Sequence, residues 1–170
     1  MPSLRTPRLI LLLSLACSPG ACADSSDELP DPDPDADPLI VPTDADSLLP
    51  WLVAEAYLEW PVESAIHGST GPHFGNVRTW IHPDLADSLD AGLAQHPAGA
   101  GAVKELYGSG SERRGWAVQV KTADDSAGGD GWYWYEYYDG ATVAAGDGIG
   151  LCAGCHGSGV DYVRTPWPLQ

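Results

Sequence analysis

Alternation of apolar and polar positions is clearest in NVRTWIH, Asn76 to His82, whose β-branched content predicts a strand. Three further runs, AGAVKELY, GWAVQVKT and GWYWYEYY, read as consecutive strands. Only SGSERR and the turn-rich ADDSAGGD separate them, so antiparallel pairing is expected. Apolar positions fall at near-helical spacing in WLVAEAYLEW, residues 51–60, which predicts a short helix. HPDLADSLDAGL, residues 82–93, predicts another, with a proline suited to the first turn and acids near that end. The pattern is an α+β domain over residues 51–170: an antiparallel β-sheet with a few helices and no internal repeat. Near the C-terminus, GDGIG and GSGVD flank LCAGCH, and the glycines predict a loop there.

The pattern changes before Trp51. Residues 24–50 hold nine acids, no base and interspersed prolines, a composition expected to stay extended as a disordered tether. Residues 1–23 read as a signal peptide, with Arg5 and Arg8 ahead of an apolar run too short to span a bilayer. Ala21-Cys22-Ala23 offers a cleavage site. Ser14-Leu15-Ala16-Cys17 offers a lipoprotein-type alternative in which Cys17 carries the lipid, although Ser14 stands where leucine is preferred. Both readings place the domain outside the cytoplasm, in the periplasm or as an outer-membrane lipoprotein. A formal charge of −16 argues against nucleic acid and anionic lipid surfaces as partners.

Four readings compete for Cys152, Cys155 and His156. Structural zinc needs four ligands, and the only other cysteines are Cys17 and Cys22 in the leader. A thioredoxin-like pair expects a βαβ setting, which the pattern lacks. A plain disulfide suits an oxidising compartment but leaves His156 without a role. Covalent haem c uses all three residues: each thiol adds to one vinyl group of a porphyrin, and the adjacent imidazole reaches the iron. Export agrees with that chemistry, so one haem c with His156 as the metal ligand is the expectation.

Met1 is the sole methionine and belongs to the leader, which removes a His/Met electron carrier and leaves a second histidine, a lysine or an open position. His67, His73, His82 and His96 are the candidates for a second axial histidine. The ordinary role for each is a loop or cap residue in contact with water, so an open iron is the leading expectation and a bis-histidine electron carrier the alternative. In the aromatic strand, Trp132, Trp134, Glu136 and Tyr138 fall on one face, with Tyr133, Tyr135 and Tyr137 on the other. Glu136 is thereby a candidate pocket carboxylate, a partner for a tyrosine, or an exposed acid. Lys104 shares its strand face with Ala102 and Leu106. Burial there would yield a neutral, nucleophilic amine, whereas snorkelling would take its head to water.

HFGNVRTWIHP, GAGAVKELYG, GWYWYEYYDG and the closing CAGCHGSGVDYVRTPWPL, in that order, resemble the cytochrome P-460 / cytochrome c′-beta family over most of residues 66–170. The resemblance implies an antiparallel sheet, a homodimer and a haem with an open distal side. It also implies one of two chemistries: hydroxylamine oxidation with a lysine joined to the porphyrin, or binding of nitric oxide and similar gases without that link. The crosslinking lysine of the family pattern falls on Lys104. The family's pocket carboxylate, four residues before the second strand lysine, falls on Ala117, ahead of Lys121. Alanine cannot take up the protons that hydroxylamine releases, so Glu136 or a histidine must substitute for turnover. Phe74 matches a distal aromatic, and Arg78 a family arginine that contacts a haem propionate or forms a structural ion pair. The redox partner is not legible.

Overall fold

The computed structural model describes residues 29–73 and 75–170. The leader, including Cys17 and Cys22, and Phe74 lie outside the described residues. Six strands form one antiparallel sheet in chain order: β1 (His67–Gly68), β2 (Asn76–Ile81), β3 (Gly101–Gly108), β4 (Gly115–Lys121), β5 (Trp132–Tyr138) and β6 (Ala141–Asp147). Helix α1 (Ala45–Val53) precedes the sheet, α2 (Pro83–Asp90) connects β2 to β3, and α3 (Gly150–His156) follows β6. The α+β class and antiparallel sheet agree with the pattern in the sequence. No described helix is long and apolar enough to cross a membrane.

Alternation along the strands splits the interior in two. One face sends Trp80, Val103, Trp116, Val118, Tyr133, Tyr135 and Tyr137 against Leu48, Trp51 and Leu52 of α1. The opposite face sends Ile81, Ala102, Trp132 and Trp134 against Leu85 of α2 and Ala153 of α3. The tryptophans and tyrosines of β5 therefore separate as the period of two requires.

Two boundaries need correction. The folded domain begins before Trp51, since α1 starts at Ala45 and its Leu48 is fully buried. Asp44 caps α1 by accepting from the Ser47 N–H at 2.9 Å. Upstream, the Trp51 and Trp60 indoles donate to the Asp37 and Pro38 carbonyls at 2.9 and 3.0 Å. The acidic segment thus ends as a strap over the core, because two tryptophans reach its backbone. It is not a disordered tether as far as Pro50.

The second correction concerns LCAGCH, which is helical rather than a loop. Ala153 is buried, and Gly129 lets it approach: a Cβ on Gly129, whose φ is 87°, would stand 2.6 Å from the Ala153 Cβ. Tertiary packing at one alanine outweighs the flanking glycines. The consequence is chemical. On a helix, Cys152, Cys155 and His156 stand at i, i+3 and i+4, which puts all three on one face.

Candidate functional site

Beneath that face lies a cavity of about 650 Å³, within the range of sites for sizeable organic ligands. Its floor is the tryptophan face of the sheet, including Thr79, Ala102, Lys104, Ala117, Gln119, Trp134 and Glu136. α3 supplies Leu151, Cys152, Cys155 and His156, and residues 63–73 and 164–170 form the rim. Small side chains at Ala102, Ala117 and Ala144 keep the floor low.

His156 is oriented from behind. Its Nδ1 lies 3.0 Å from the Tyr162 carbonyl, and a carbonyl only accepts, so Nδ1 carries the proton and Nε2 the free lone pair. Burial pushes its pKa down to about 4, with Lys104 adding to the effect, so the ring is neutral at physiological pH. Trp134 packs edge-on at 4.8 Å between ring centres. The carbonyl that holds His156 belongs to a turn in which Asp161 and Tyr162 both adopt positive φ, 45° and 66°. Asp161 fixes this turn by accepting from Lys121 Nζ at 2.5 Å and from the His96 N–H at 2.8 Å. None of this support was read from the sequence, because its members are 40 and 65 residues apart.

Cys152 and Cys155 are free thiols, and burial raises Cys152 to about 11, so it is protonated at neutral pH. Among the described residues no group of three or more His, Cys, Asp or Glu is arranged to hold a metal ion. The arrangement does fit a covalently held tetrapyrrole: two thiols and one unencumbered imidazole nitrogen face the same large cavity.

Lys104 lies on the cavity floor, where burial holds its pKa below the ordinary lysine value. In register, Lys104 faces Ala117 on β4, and Ala117 faces Glu136 on β5. Glu136 thus stands one strand from the carboxylate that Ala117 lacks, and its Oε2 is 3.2 Å from His73 Nδ1. Arg78 is not part of the site. It lies over Trp80 at 5.1 Å on the other face, and its Nε donates to the Glu63 carbonyl at 2.8 Å.

The remaining histidines separate by location. His82 is buried, caps α2 by accepting from the Asp84 N–H at 3.1 Å, and meets Trp60 edge-on. His96 is also buried, 2.8 Å from the Ser88 hydroxyl. Neither is in contact with water, contrary to expectation, and neither lines the cavity. His67 sits at the rim with both nitrogens engaged, Nε2 by Glu63 at 3.1 Å and Nδ1 by the Gly68 carbonyl at 3.0 Å. His73 reaches inside, 6.3 Å from His156 between ring centres. Nothing in the local sequence distinguishes it from the others; strand pairing of β1 with β2 brings it in.

No family model matches the chain, and no curated protein matches it.

Proposed function

We propose that this is an exported monohaem c-type cytochrome whose haem, attached through Cys152 and Cys155 and ligated by His156, binds small nitrogen oxides. The observation that carries this reading is the placement of both thiols and a neutral, outward-facing imidazole nitrogen on one wall of a single cavity. Haem supplies an iron centre able to take a small ligand and pass single electrons.

The chain's own residues define the rest. Tyr162 and Trp134 hold the His156 ring in place. Alanines at 102, 117 and 144 leave room for a flat group, and Lys104 would line the space it occupies. Nitric oxide is the ligand we assign first. Hydroxylamine is the second, and its oxidation also requires a proton acceptor and an external one-electron acceptor protein. Glu136, backed by His73, is the proton acceptor in this reading. Homodimer formation and a lipid anchor at Cys17 belong to the same proposal.

The test is optical. Protein matured in a host able to attach haem c is denatured and reduced in alkaline pyridine, and a c-type haemochrome at one haem per chain is expected. A colourless product overturns the reading. The ferrous protein is then titrated with nitric oxide, and a stoichiometric spectral change supports the ligand class.

A further inference from the structure

The cavity holds a second imidazole, His73, which the proposed function uses only behind Glu136. We propose that His73 is the resting partner of His156 across the haem, an internal base that a small ligand must displace before it binds. This inference rests on the haem reading above and deepens it.

Three observations converge on His73. The first is separation. Two imidazoles bound through facing nitrogens to one metal, each at about 2 Å, hold their ring centres roughly 6 Å apart. His73 and His156 stand at 6.3 Å, with planes crossing at 71°. The second is the way each ring is turned. A metal-binding histidine commonly presents its other nitrogen to a carbonyl or carboxylate. His156 presents Nδ1 to the Tyr162 carbonyl, and His73 Nδ1 lies 3.2 Å from Glu136 Oε2 without a formed hydrogen bond. Among the described residues neither Nε2 has a hydrogen-bond partner. The third is exclusion: His67 has both nitrogens committed, while His82 and His96 are outside the cavity.

The two bases are not equivalent. His156 is carried by a helix and by a turn fixed through Lys121 and Asp161. His73 belongs to the connection between β1 and β2, which is closed by the Ser69 N–H donating to the Gly75 carbonyl at 2.8 Å. Among the described residues its Nδ1 approaches Glu136 Oε2 at 3.2 Å without a formed hydrogen bond, and its ring meets that of His156 edge-on. His73 is therefore the base that yields, and its occupancy lowers the apparent affinity for an incoming ligand.

The experiment uses haem-loaded full-length protein. Wild type is expected to be low-spin in both oxidation states, with carbon monoxide association that saturates at high ligand concentration because His73 must leave first. In His73→Ala the iron becomes high-spin, association becomes linear in carbon monoxide, and affinity rises about 10- to 100-fold. Added imidazole restores the low-spin spectrum of that variant. Glu136→Gln is expected to give an intermediate mixture of spin states. If the haemochrome is present but wild type is high-spin, or stays low-spin after His73→Ala, the inference fails while haem binding stands. If no haemochrome forms, the haem reading itself fails. Should His73→Ala not mature, the wild-type spin state alone decides.

Discussion

Lys121 Nζ lies 2.5 Å from Asp161 Oδ2, and both side chains are almost wholly buried. The pair links β4 to the turn whose Tyr162 carbonyl orients His156. Lys121 also donates to the Ser126 hydroxyl. Removing one member leaves the other charge buried without its partner, at a cost of about 3–5 kcal/mol. Lys121→Met is expected to lower the unfolding free energy by that amount, read as a lower urea midpoint with the slope unchanged. A loss under about 1 kcal/mol would mean that water reaches the pair and that it does not brace the turn.

Acid should undo the same contact. Burial raises the Asp161 carboxyl, but hydrogen bonds from Lys121, Ser126 and the His96 N–H outweigh it and hold the pKa below the ordinary value of 3.8. A depressed folded value means that the unfolded chain binds more protons, so stability is present above about pH 4 and falls as pH drops through the folded value. Denaturant midpoints measured from pH 5 to pH 2 should decline in wild type. Asp161→Asn should start lower and decline less steeply. Parallel curves would assign the acid sensitivity to other carboxylates.

Much of the sheet and one wall of the site were legible in the residues. β2 to β5 follow from local alternation, and the spacing in CAGCH marks the residues that α3 brings to the cavity wall. β6 was not legible, since ATVAAGD has little apolar alternation and sits exposed at the sheet edge. The start of the domain was hidden because Leu48 contributes one buried side chain to a segment that otherwise reads as acidic and unfolded. Within the site, Lys104 and Glu136 were placed correctly by strand period. His73 and Asp161 depend on pairing and turn geometry that no local pattern encodes.

Across the sheet from the cavity, Tyr57 donates to Glu105 Oε1 at 2.6 Å and accepts from the Trp116 indole at 2.8 Å. Tyr107 donates to the other Glu105 oxygen, and Arg113 donates to Oε1 at 2.7 Å. Burial, then the charge of Glu105, keeps the Tyr57 hydroxyl protonated well above the usual phenol range. Tyr57→Phe strands the Trp116 N–H and is expected to cost about 1–3 kcal/mol. Because this network occupies the opposite face, the spectrum of the haem-loaded variant should match wild type. A shifted Soret band would show that the two faces are coupled.

Lys104 offers the sharpest contrast in the chain, whose only other lysine is Lys121. Lys121 is fully buried in an ion pair, whereas Lys104 lines the cavity without a hydrogen bond or ion pair among the described residues. Burial lowers its pKa from 10.5, partly opposed by Glu63 and Glu136. Between the folded and unfolded values the unfolded chain again binds more protons, so this group destabilises the fold at low pH and ceases to do so as pH rises. Two results follow for haem-free protein. A small acylating reagent at pH 8 should modify Lys104 well before Lys121, as read by peptide mass. Lys104→Met should raise stability at pH 7 by on the order of 1 kcal/mol, because a methionine needs no solvation in that position. In haem-loaded protein, loss of Lys104 from the labelled peptides, together with a red-shifted ferrous Soret band, would mark a covalent link to the porphyrin. Lys104 that acylates only above pH 10 would instead be a cation whose head reaches water, and neither the link nor the stabilisation by methionine would be observed.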